Sequence, residues 1–452
     1  MNDMSEMPAR VEASTEQTND DAALTKMQIK LKERYIIDFE EPISALDING
    51  AKAYAVSDRI DKDKLLFALI CSHDTAPRHS ILPYIKSLRS EHLLNLIEYG
   101  TVVPPSSSQV SMALIYQRPL GGRVIDDPAS PYRDDTAKMQ TLWVELLSAL
   151  QDMHSYGITH RSIRLENLYY LDETKNHVVL GDCVAAFPAY YQPAIYETID
   201  SLMAQKASRG NGTEKNDIYA LGVLGTFLFQ GKENGADLPP QEVLNFKMKK
   251  GSYASVVGDT KFPVSLANSL RHMLADNPQL RWDIATTAEV MGNKQNKIPY
   301  IDDVENTKKA LAIGGQKYYN TRDIAYELLQ NPKDGFEAYN SGKLVEWIKN
   351  SLGNEDLAAR LDKTIKSTVD NTHNHELSIA KICTFLAPYF PIKIGNISLF
   401  PDALSKSLYF ATIHHEDLND YEKYIKLNLI DKYYILTSCN HCAGLFRLDY
   451  KK

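Results

Sequence analysis

Apolar and polar positions alternate in short runs along the first third of the chain. RYIIDF, AKAYAV and LLFALIC lie within residues 34–71 and are bounded by turn-forming residues such as Asn-Gly and Asp-Lys-Asp. Runs of this kind are typical of consecutive antiparallel strands. A helical stretch follows around Ile81 to Leu88, and then the short apolar runs LLNLIEYGTVV and SMALIYQ. The pattern predicts a small antiparallel sheet with one helix packed on it.

The period of the pattern becomes helical after the pair Gly121-Gly122. The segment MQTLWVELLSALQDMHSY (139–156) repeats leucine on one helical face. The run YALGVLGTFLF (219–229) is apolar nearly all round, so a helix there must be buried, and it is too short to cross a membrane. Helical signals continue to about Ile284, and GNKQNKIP (292–299) has the composition of a linker.

The two ends of the chain differ in pattern. Residues 1–30 are rich in small polar and acidic side chains, which predicts a flexible tail. The last 150 residues contain separate helical segments, and Ser341 is the expected N-cap of the helix KLVEWIKNSL. One face of this helix is apolar and includes Trp347, so we expect a C-terminal domain with its own core around Trp347. No convincing internal repeat at a fixed period is found, which argues against a solenoid.

Composition narrows the class of protein. The 452 residues are 44% hydrophobic and 24% charged, as in ordinary folded proteins. The net charge of −8 argues against a broad nucleic-acid surface, so nucleic acid is not an expected partner. The 5 cysteines are too few and too scattered for a disulfide framework, which indicates a reducing compartment and predicts a cytoplasmic protein. Neither a secretory signal pattern nor an apolar run long enough for a membrane span is found.

The segment ITHRSIRLENLYYLDETKNHVVLGDCVAAF (158–187) carries the most specific motif. His160, Arg161 and Asn167 have the spacing of the catalytic loop H-R-D-L-x-x-x-N of eukaryotic-type protein kinases. Asp182 follows the strand-like run HVVLG, as the metal-binding Asp of the D-F-G motif does. The chain therefore resembles the protein kinase superfamily.

Further segments match this superfamily in the same order. FALIC resembles the third strand of the small lobe, ALIYQRPLGGRV resembles the hinge between the lobes, and NDIYALGVL supplies Asp217 at the expected interval. The resemblance covers about residues 34–290 and implies an α+β, bilobal kinase-like fold with an additional helical C-terminal domain. The predicted organisation is a flexible tail (1–30), a small lobe (31–118), a large lobe (119–291), a linker (292–299) and a helical C-terminal domain (300–452).

Several catalytic positions of the superfamily are replaced, so that none of its catalytic set is intact. Ser162 stands at the place of the Asp that orients the substrate hydroxyl, and the loss of a positioned base costs about 10²- to 10⁴-fold in rate. Ile70 aligns with the phosphate-binding Lys, and Ile81 aligns with the Glu that pairs with it. Gly50 is the single glycine between residues 36 and 56, where the family has a glycine-rich loop.

The activation segment also departs from the family pattern. The glycine of D-F-G is lost in Asp182-Cys183-Val184, and A-P-E survives only as Gln192-Pro193-Ala194. Arg281 is therefore left without its usual Glu partner unless Glu197 replaces it. Switching of the ordinary kind is not expected here.

Some nucleotide-binding positions are kept. The resemblance makes Asn167 and Asp182 the Mg²⁺ ligands, makes Arg164 a phosphate-binding cation and places Tyr116 in the hinge beside the adenine. Asn167 could equally satisfy loop backbone groups, and Asp182 could cap a turn. The expected cofactor is accordingly none, or ATP with Mg²⁺ bound weakly.

The prediction for function is a catalytically impaired pseudokinase that regulates or scaffolds through protein partners. Two alternatives stay open: a divergent ATP-dependent protein kinase or other nucleotide-dependent transferase, and a Mg-nucleotide-binding module without turnover. The cleft between Leu114 and Asp182 discriminates between them. A cleft filled by side chains such as Ile70 and Ile81 would exclude the enzyme.

Overall fold

The computed structural model describes residues 26–292, 306–366 and 375–436. Residues 1–25 of the predicted tail and residues 293–299 of the predicted linker lie outside these ranges. The N-terminal part contains the strands β1 (Gln28–Leu31), β2 (Tyr35–Pro42), β3 (Ala51–Asp58), β4 (Leu66–Cys71), β5 (Leu96–Val102) and β6 (Ser111–Gln117). They form one six-stranded antiparallel sheet in the order β1-β2-β3-β4-β6-β5.

Strand β1 corrects the predicted boundary of the N-terminal tail. Its residues pair with β2 in a hairpin whose turn, Lys32-Glu33, has both residues in the left-handed region (φ 49° and 56°). Ile29 and Leu31 alternate with polar residues, and Leu31 is buried. This short alternation follows directly on a polar segment, so it was not recognised as a strand.

The sheet curls until β1 approaches β5. Lys32 Nζ lies 2.7 Å from Glu98 Oε1, and Leu31 packs against Gly100, where an added Cβ would meet a methyl group at 2.8 Å. The enclosed face holds one apolar cluster, and the opposite face packs against the rest of the chain. Successive residues of a strand point to opposite faces, so strand register decides which side chains face the large lobe.

Arg34 and Asp58 connect β2 to β3 through two hydrogen bonds, Nε to Oδ1 at 2.8 Å and Nη2 to Oδ2 at 2.6 Å. The hydrogen bond from Arg34 is the main reason that the pKa of Asp58 falls to about 2. This pKa is below that of an Asp in an unfolded chain, about 3.9. The charged form therefore stabilises the fold above about pH 4, and this stability is lost as the pH falls towards 2.

We expect Asp58→Asn to lower the melting temperature at neutral pH. The difference from the wild type should shrink as the pH is lowered from about 5 to about 3, because Asp58 of the unfolded wild-type chain then binds a proton while the folded protein, with its pKa of about 2, keeps the charge. Thermal melts of both proteins across this range measure the effect. A difference that stays constant down to about pH 3 would contradict the assignment.

The large lobe is mainly helical. Helix α1 (Leu82–Ser87) belongs to the small lobe, where it packs beside β5. The helices of the large lobe are α2 (Thr136–His154), α3 (Ile199–Leu202), α4 (Glu214–Gln230), α5 (Pro240–Lys250), α6 (Ser252–Val257), α7 (Val264–Met273) and α8 (Ile284–Gly292). A small sheet is formed by β7 (Gly122–Arg123), β8 (Leu168–Tyr170) and β9 (Val178–Leu180). The leucine face of α2 and nearly all of α4 are buried, as the pattern predicts. The predicted two-lobed α+β fold is confirmed.

The C-terminal region is helical, as predicted, with two small hairpins in addition. Its elements are β10 (Leu311–Ile313), β11 (Gln316–Tyr318), α9 (Thr321–Gln330), α10 (Pro332–Asn340), α11 (Lys343–Asn350), α12 (Glu355–Lys366), α13 (His375–Leu386), β12 (Ile392–Ile394), β13 (Ile397–Leu399), α14 (Leu404–Ile413), α15 (Asn419–Lys426) and α16 (Leu429–Leu436). Ser341 is not the N-cap of α11, because its Oγ bonds to Ala338 O at the end of α10. Gly342, in the left-handed region, separates the two helices.

Two segments of the C-terminal region share one local architecture, a single pair that is not the fixed-period array of a solenoid. In each segment a two-residue turn, Gly314-Gly315 or Gly395-Asn396, joins two three-residue strands in the same register, and a helix follows. Asp334 and Asp420 each lie in the first turn of a later helix and lie against the first glycine of the turn. Few side chains are shared, so the sequence did not reveal the pair.

The C-terminal region shares a core with the large lobe. One continuous buried cluster runs through α2 and α4 and through residues 311–390, and Trp347 is part of it. The buried Arg322 of α9 lies 3.1 Å from Asp276 of the large lobe. The expected independent core around Trp347 is therefore wrong, because the large lobe covers the apolar faces of these short helices. Within the described ranges, no helix combines the length and apolarity that a bilayer crossing needs.

Candidate functional site

Asp217 organises the loop that carries the sequence motif. Its carboxylate accepts the backbone N–H groups of His160 (2.7 Å) and Arg161 (2.8 Å), and His154 Nε2 lies 2.9 Å from it. Although burial opposes its ionisation, these partners hold the pKa of Asp217 below its ordinary value. Burial lowers the pKa of His160 to about 4, so its neutral ring accepts the N–H of Ser162 at Nδ1. These residues form the framework that the resemblance implies.

Asn167 lies fully buried behind this loop. Its Nδ2 donates to Ser162 O and to Asp182 O, both at 2.8 Å. Its Oδ1 is buried and has no hydrogen-bond partner among the described residues. The amide therefore satisfies loop backbone groups, one of the two roles expected for it, and one oxygen is left over.

Asp182 is held by three donors. Its Oδ1 accepts the hydroxyl of Tyr116 (2.6 Å) and the N–H of Val184 (3.1 Å), and its Oδ2 accepts the N–H of Ala185 (3.0 Å). The carboxylate thus caps a turn, as the second interpretation expected. Burial raises the pKa of Asp182.

Tyr116 crosses the cleft instead of lining its mouth. It lies on β6, on the sheet face that packs against the large lobe, and its ring is 5.9 Å from that of Phe67. Burial and the neighbouring Asp182 raise the pKa of Tyr116 well above its ordinary value, so the neutral hydroxyl donates to Asp182. The predicted hinge residue is therefore the residue that joins the small lobe to the metal-binding position.

The alignment of Ile70 with the phosphate-binding Lys does not agree with the strand register. Ile70 lies inside the curled sheet, in the cluster that faces away from the cleft. Its neighbour Cys71 lies on the other face, near enough to Asp182 that this carboxylate adds to burial in raising the pKa of the thiol. Ile81 precedes α1 and packs against the main apolar cluster. The β4 residue beside Asp182 is therefore Cys71.

Arg78 is a buried cation that sequence reasoning missed. Its Nη1 donates to the carbonyl oxygens of Thr159 (2.8 Å), His160 (3.1 Å) and Cys183 (3.1 Å). Its backbone N–H also donates to Val184 O at 2.8 Å. Arg78 therefore attaches the segment before α1 to the motif loop. A single Arg outside any motif gives no sequence signal for this role.

Ser162 and Arg164 bond to each other. Arg164 Nη1 donates to Ser162 Oγ at 2.5 Å, and Arg164 Nε lies 3.7 Å from Glu166. Arg164 is buried, and burial lowers its pKa. A hydroxyl held in this way is not a resting base near neutral pH, in contrast to the carboxylate that the family places there.

The space beside Asp182 is small. The cavity lined by Ser162, Arg164, Asp182 and residues 185–192 measures about 20 Å³. Pockets for small molecules measure roughly 300–1,000 Å³. The ring of Tyr191 packs on Gly50, where an added Cβ would lie 2.2 Å from it. Side chains fill this inner part of the cleft, but they are Tyr116 and Tyr191 instead of Ile70 and Ile81, and a cavity of about 370 Å³ remains beside the hinge residues 118–123.

These residues do not fit Mg-nucleotide in the arrangement observed. The free Oδ1 of Asn167 suits a cation, but both carboxylate oxygens of Asp182 are engaged, and the cavity admits about one water molecule. No group of three or more His, Cys, Asp or Glu side chains that could hold a metal ion is found among the residues that the structure describes.

Glu197 has a different partner from the one considered in the sequence. Its Oε2 accepts Arg161 Nη2 at 2.9 Å, and its Oε1 accepts Gln192 Nε2 at 2.8 Å. The buried Lys247 donates to its backbone oxygen, and burial lowers the pKa of Lys247 to about 7. Arg281 instead donates to the carbonyl of Ala275 at 2.8 Å. The activation segment is therefore held through Arg161.

Comparisons with known proteins agree on one class. No family model matches the chain. A segment of 159 residues is 30% identical to sperm motility kinase 1 of Mus musculus, covering 33% of this chain and 30% of that protein. A segment of 115 residues is 24% identical to the calcium and calcium/calmodulin-dependent serine/threonine-protein kinase DMI-3 of Medicago truncatula, covering 25% of this chain and 22% of that protein. The matched segments thus span less than a third of the length of these relatives.

Among solved structures, the crystal structure of Rad53 1–466 in complex with AMP-PNP has a TM-score of 0.43 and 15% identity. It covers 56% of this chain and 63% of that chain. The curated relatives, the two-lobed topology and the geometry of the motif loop make this chain protein kinase-like.

Proposed function

We propose that this kinase-like protein is catalytically impaired and acts as a regulator or scaffold through protein partners. The observation that carries this proposal is the closed inner part of the cleft, where Tyr116 bonds to Asp182 and the adjoining cavity measures about 20 Å³. Phosphoryl transfer depends on positioned metal ions and phosphates. Without room for metal ions and phosphates beside Asp182, the surface of the fold is left as its working part.

Two replacements and the hydrogen bonding of Asp182 support the proposal. Ser162 provides a hydroxyl bound to Arg164 where the family has a base. Cys71, an uncharged thiol whose pKa is raised by burial, lies beside Asp182 on the strand where the family places the phosphate-binding Lys. Asp182 is occupied by three donors of the protein itself. Each change removes a different part of the transfer machinery, so their effects multiply.

The location and the partner class belong to the same proposal. The sparse cysteines, of which Cys71, Cys183 and Cys383 are buried free thiols, support a reducing compartment such as the cytoplasm. The net charge of −8 favours protein partners over nucleic acid.

We expect the purified full-length protein to transfer no phosphate from γ-labelled ATP with Mg²⁺, either to itself or to generic substrates. Asp182→Ala serves as the control, because it removes the family's metal-binding carboxylate. Label that disappears in Asp182→Ala would contradict the proposal. Label of equal intensity in both proteins would come from a contaminating kinase.

A second candidate is a Mg-nucleotide-binding module without turnover. The buried Oδ1 of Asn167, which lacks a partner among the described residues, favours it because such an oxygen suits a cation. Thermal melts with Mg-ATP distinguish the candidates. Binding at low micromolar concentration would raise the stability by about 1–2 kcal/mol at tenfold excess or more and would favour the second candidate, whereas we expect no shift.

A further inference from the structure

Helix α14 bonds to the loop at residues 205–211, which follows the activation segment. Asp402, just before the helix, accepts the backbone N–H of Asn211 at 2.7 Å, and Lys406 Nζ donates to Asn211 Oδ1 at 2.8 Å. Ser407 Oγ lies 2.6 Å from Ser208 Oγ in a buried contact. The loop packs closely against the start of α14. Gly210 has a φ of +67°, and a Cβ added there would lie 2.2 Å from Asp402.

Helix α14 also contacts the aromatic residues that close the cleft. The ring of Phe410 lies 5.6 Å from that of Tyr190, and the ring of Tyr409 lies 6.1 Å from that of Phe187. Tyr190 in turn packs edge-on against Tyr191 at 4.8 Å. An aromatic chain therefore runs from α14 to Tyr191, whose ring covers Gly50 in the small lobe.

A third contact reaches the small lobe directly. The ring nitrogen Nε2 of His414, at the end of α14, lies 2.9 Å from the backbone oxygen of Asp74. Asp74 lies between β4 and α1. One helix thus touches the small lobe, the activation segment and the loop of the large lobe.

The packing of α14 makes it separable from the main core. Leu404 and Ala411 belong to a second apolar cluster, together with β12, β13, α15, α16 and one face of α13, whose other face lies in the main cluster. Its contacts with the cleft are polar bonds and partly exposed aromatic edges, a composition typical of interfaces that open and close. The contacts of α14 with the cleft can therefore open while α13 stays in the main cluster.

We propose that α14 is an intramolecular clamp that keeps the cleft closed by fixing Tyr190, and through it Tyr191, against Gly50. Release of α14 frees residues 186–192 and opens the space beside Asp182. The inference concerns what holds the cleft shut and does not depend on whether an open cleft binds nucleotide.

Hydrogen–deuterium exchange of the full-length protein tests the clamp. In Phe410→Ala, and separately in Asp402→Asn, we expect the amides of residues 186–192 to exchange about tenfold faster or more. Tyr319→Ala is the matched control, because Tyr319 is also a partly exposed C-terminal aromatic (42%) but is not part of this contact. Its exchange at residues 186–192 should equal that of the wild type.

Thiol labelling gives an independent readout of opening. Cys71 is buried beside Asp182, so a maleimide should label it faster in Phe410→Ala than in the wild type or in Tyr319→Ala, as followed by peptide mass spectrometry. Cys383, buried in the main cluster away from α14, should label at an unchanged rate.

Two outcomes would overturn the clamp. One is unchanged exchange at residues 186–192 in both variants, and the other is a uniform rise over the whole chain, which would indicate global destabilisation. Neither outcome bears on catalysis. Phosphate transfer by the wild-type protein would overturn the proposed function and leave the clamp in place.

Discussion

Trp347→Ala is expected to lower the free energy of unfolding of the full chain by about 3–5 kcal/mol, the usual cost of removing a large buried aromatic side chain. Trp347 is 5% exposed, and its indole Nε1 donates to Lys309 O at 2.7 Å. It belongs to the cluster that also contains the cores of α2 and α4. The loss should therefore appear in a single unfolding transition that includes the large lobe. Chemical denaturation of both proteins measures it.

Trp347→Phe is the matched control for this prediction. It keeps most of the apolar contact and removes the hydrogen bond, which costs about 1 kcal/mol. Two separate unfolding transitions, of which only the smaller one shifts in Trp347→Ala, would show that the C-terminal region has an independent core. If Trp347→Ala unfolds like the wild type, Trp347 is not part of the core.

Asp217→Ala is expected to have a loss of similar size, about 3–5 kcal/mol. The substitution leaves the backbone N–H groups of His160 and Arg161 buried without their acceptor, and each such group costs about 1–3 kcal/mol. It also removes the partner of His154. Arg161, with a φ of +57°, loses the contact that holds its left-handed backbone, so the motif loop should loosen first.

Asp217→Asn removes the negative charge of the side chain and keeps its shape. The amide retains one acceptor oxygen at the same position, so we expect a smaller loss than in Asp217→Ala when both are measured by chemical denaturation. Faster hydrogen exchange at residues 159–162 in Asp217→Ala, with little change in α16, would confirm that the effect is local. Equal stability of Asp217→Ala and the wild type would show that Asp217 does not organise the loop.

The sequence predicted only the part of the candidate site that the catalytic-loop motif covers. The spacing of His160, Asn167 and Asp182 located the loop, and the replacement of the base by Ser162 was visible in the sequence. The identity of the residues that fill the cleft was not. Tyr116 and Asp182 are 66 positions apart, and nothing in the chain between them indicates that the hydroxyl reaches the carboxylate.

Some sequence-based predictions were wrong because a local pattern does not show which distant residues pair. Ile70 and Cys71 are adjacent and both buried, so the alignment alone could not decide which of them faces the cleft. The antiparallel register with β3 and β6 decides it, because a shift of one residue moves every side chain to the other face. Glu197 was likewise considered as a substitute partner for Arg281, and only the tertiary structure shows that its partner is Arg161.

The sequence by itself determined the two-lobed α+β fold, the order of its elements and the loss of the catalytic base. These features depend on local periodicity and on short spacings, which residues close together in the chain determine. Only the tertiary structure decided that Tyr116 and Tyr191 close the cleft, that α14 contacts both lobes, and that the apolar faces of the C-terminal helices are covered by the large lobe. Burial is a property of two surfaces brought together, and an apolar stripe specifies only one of them.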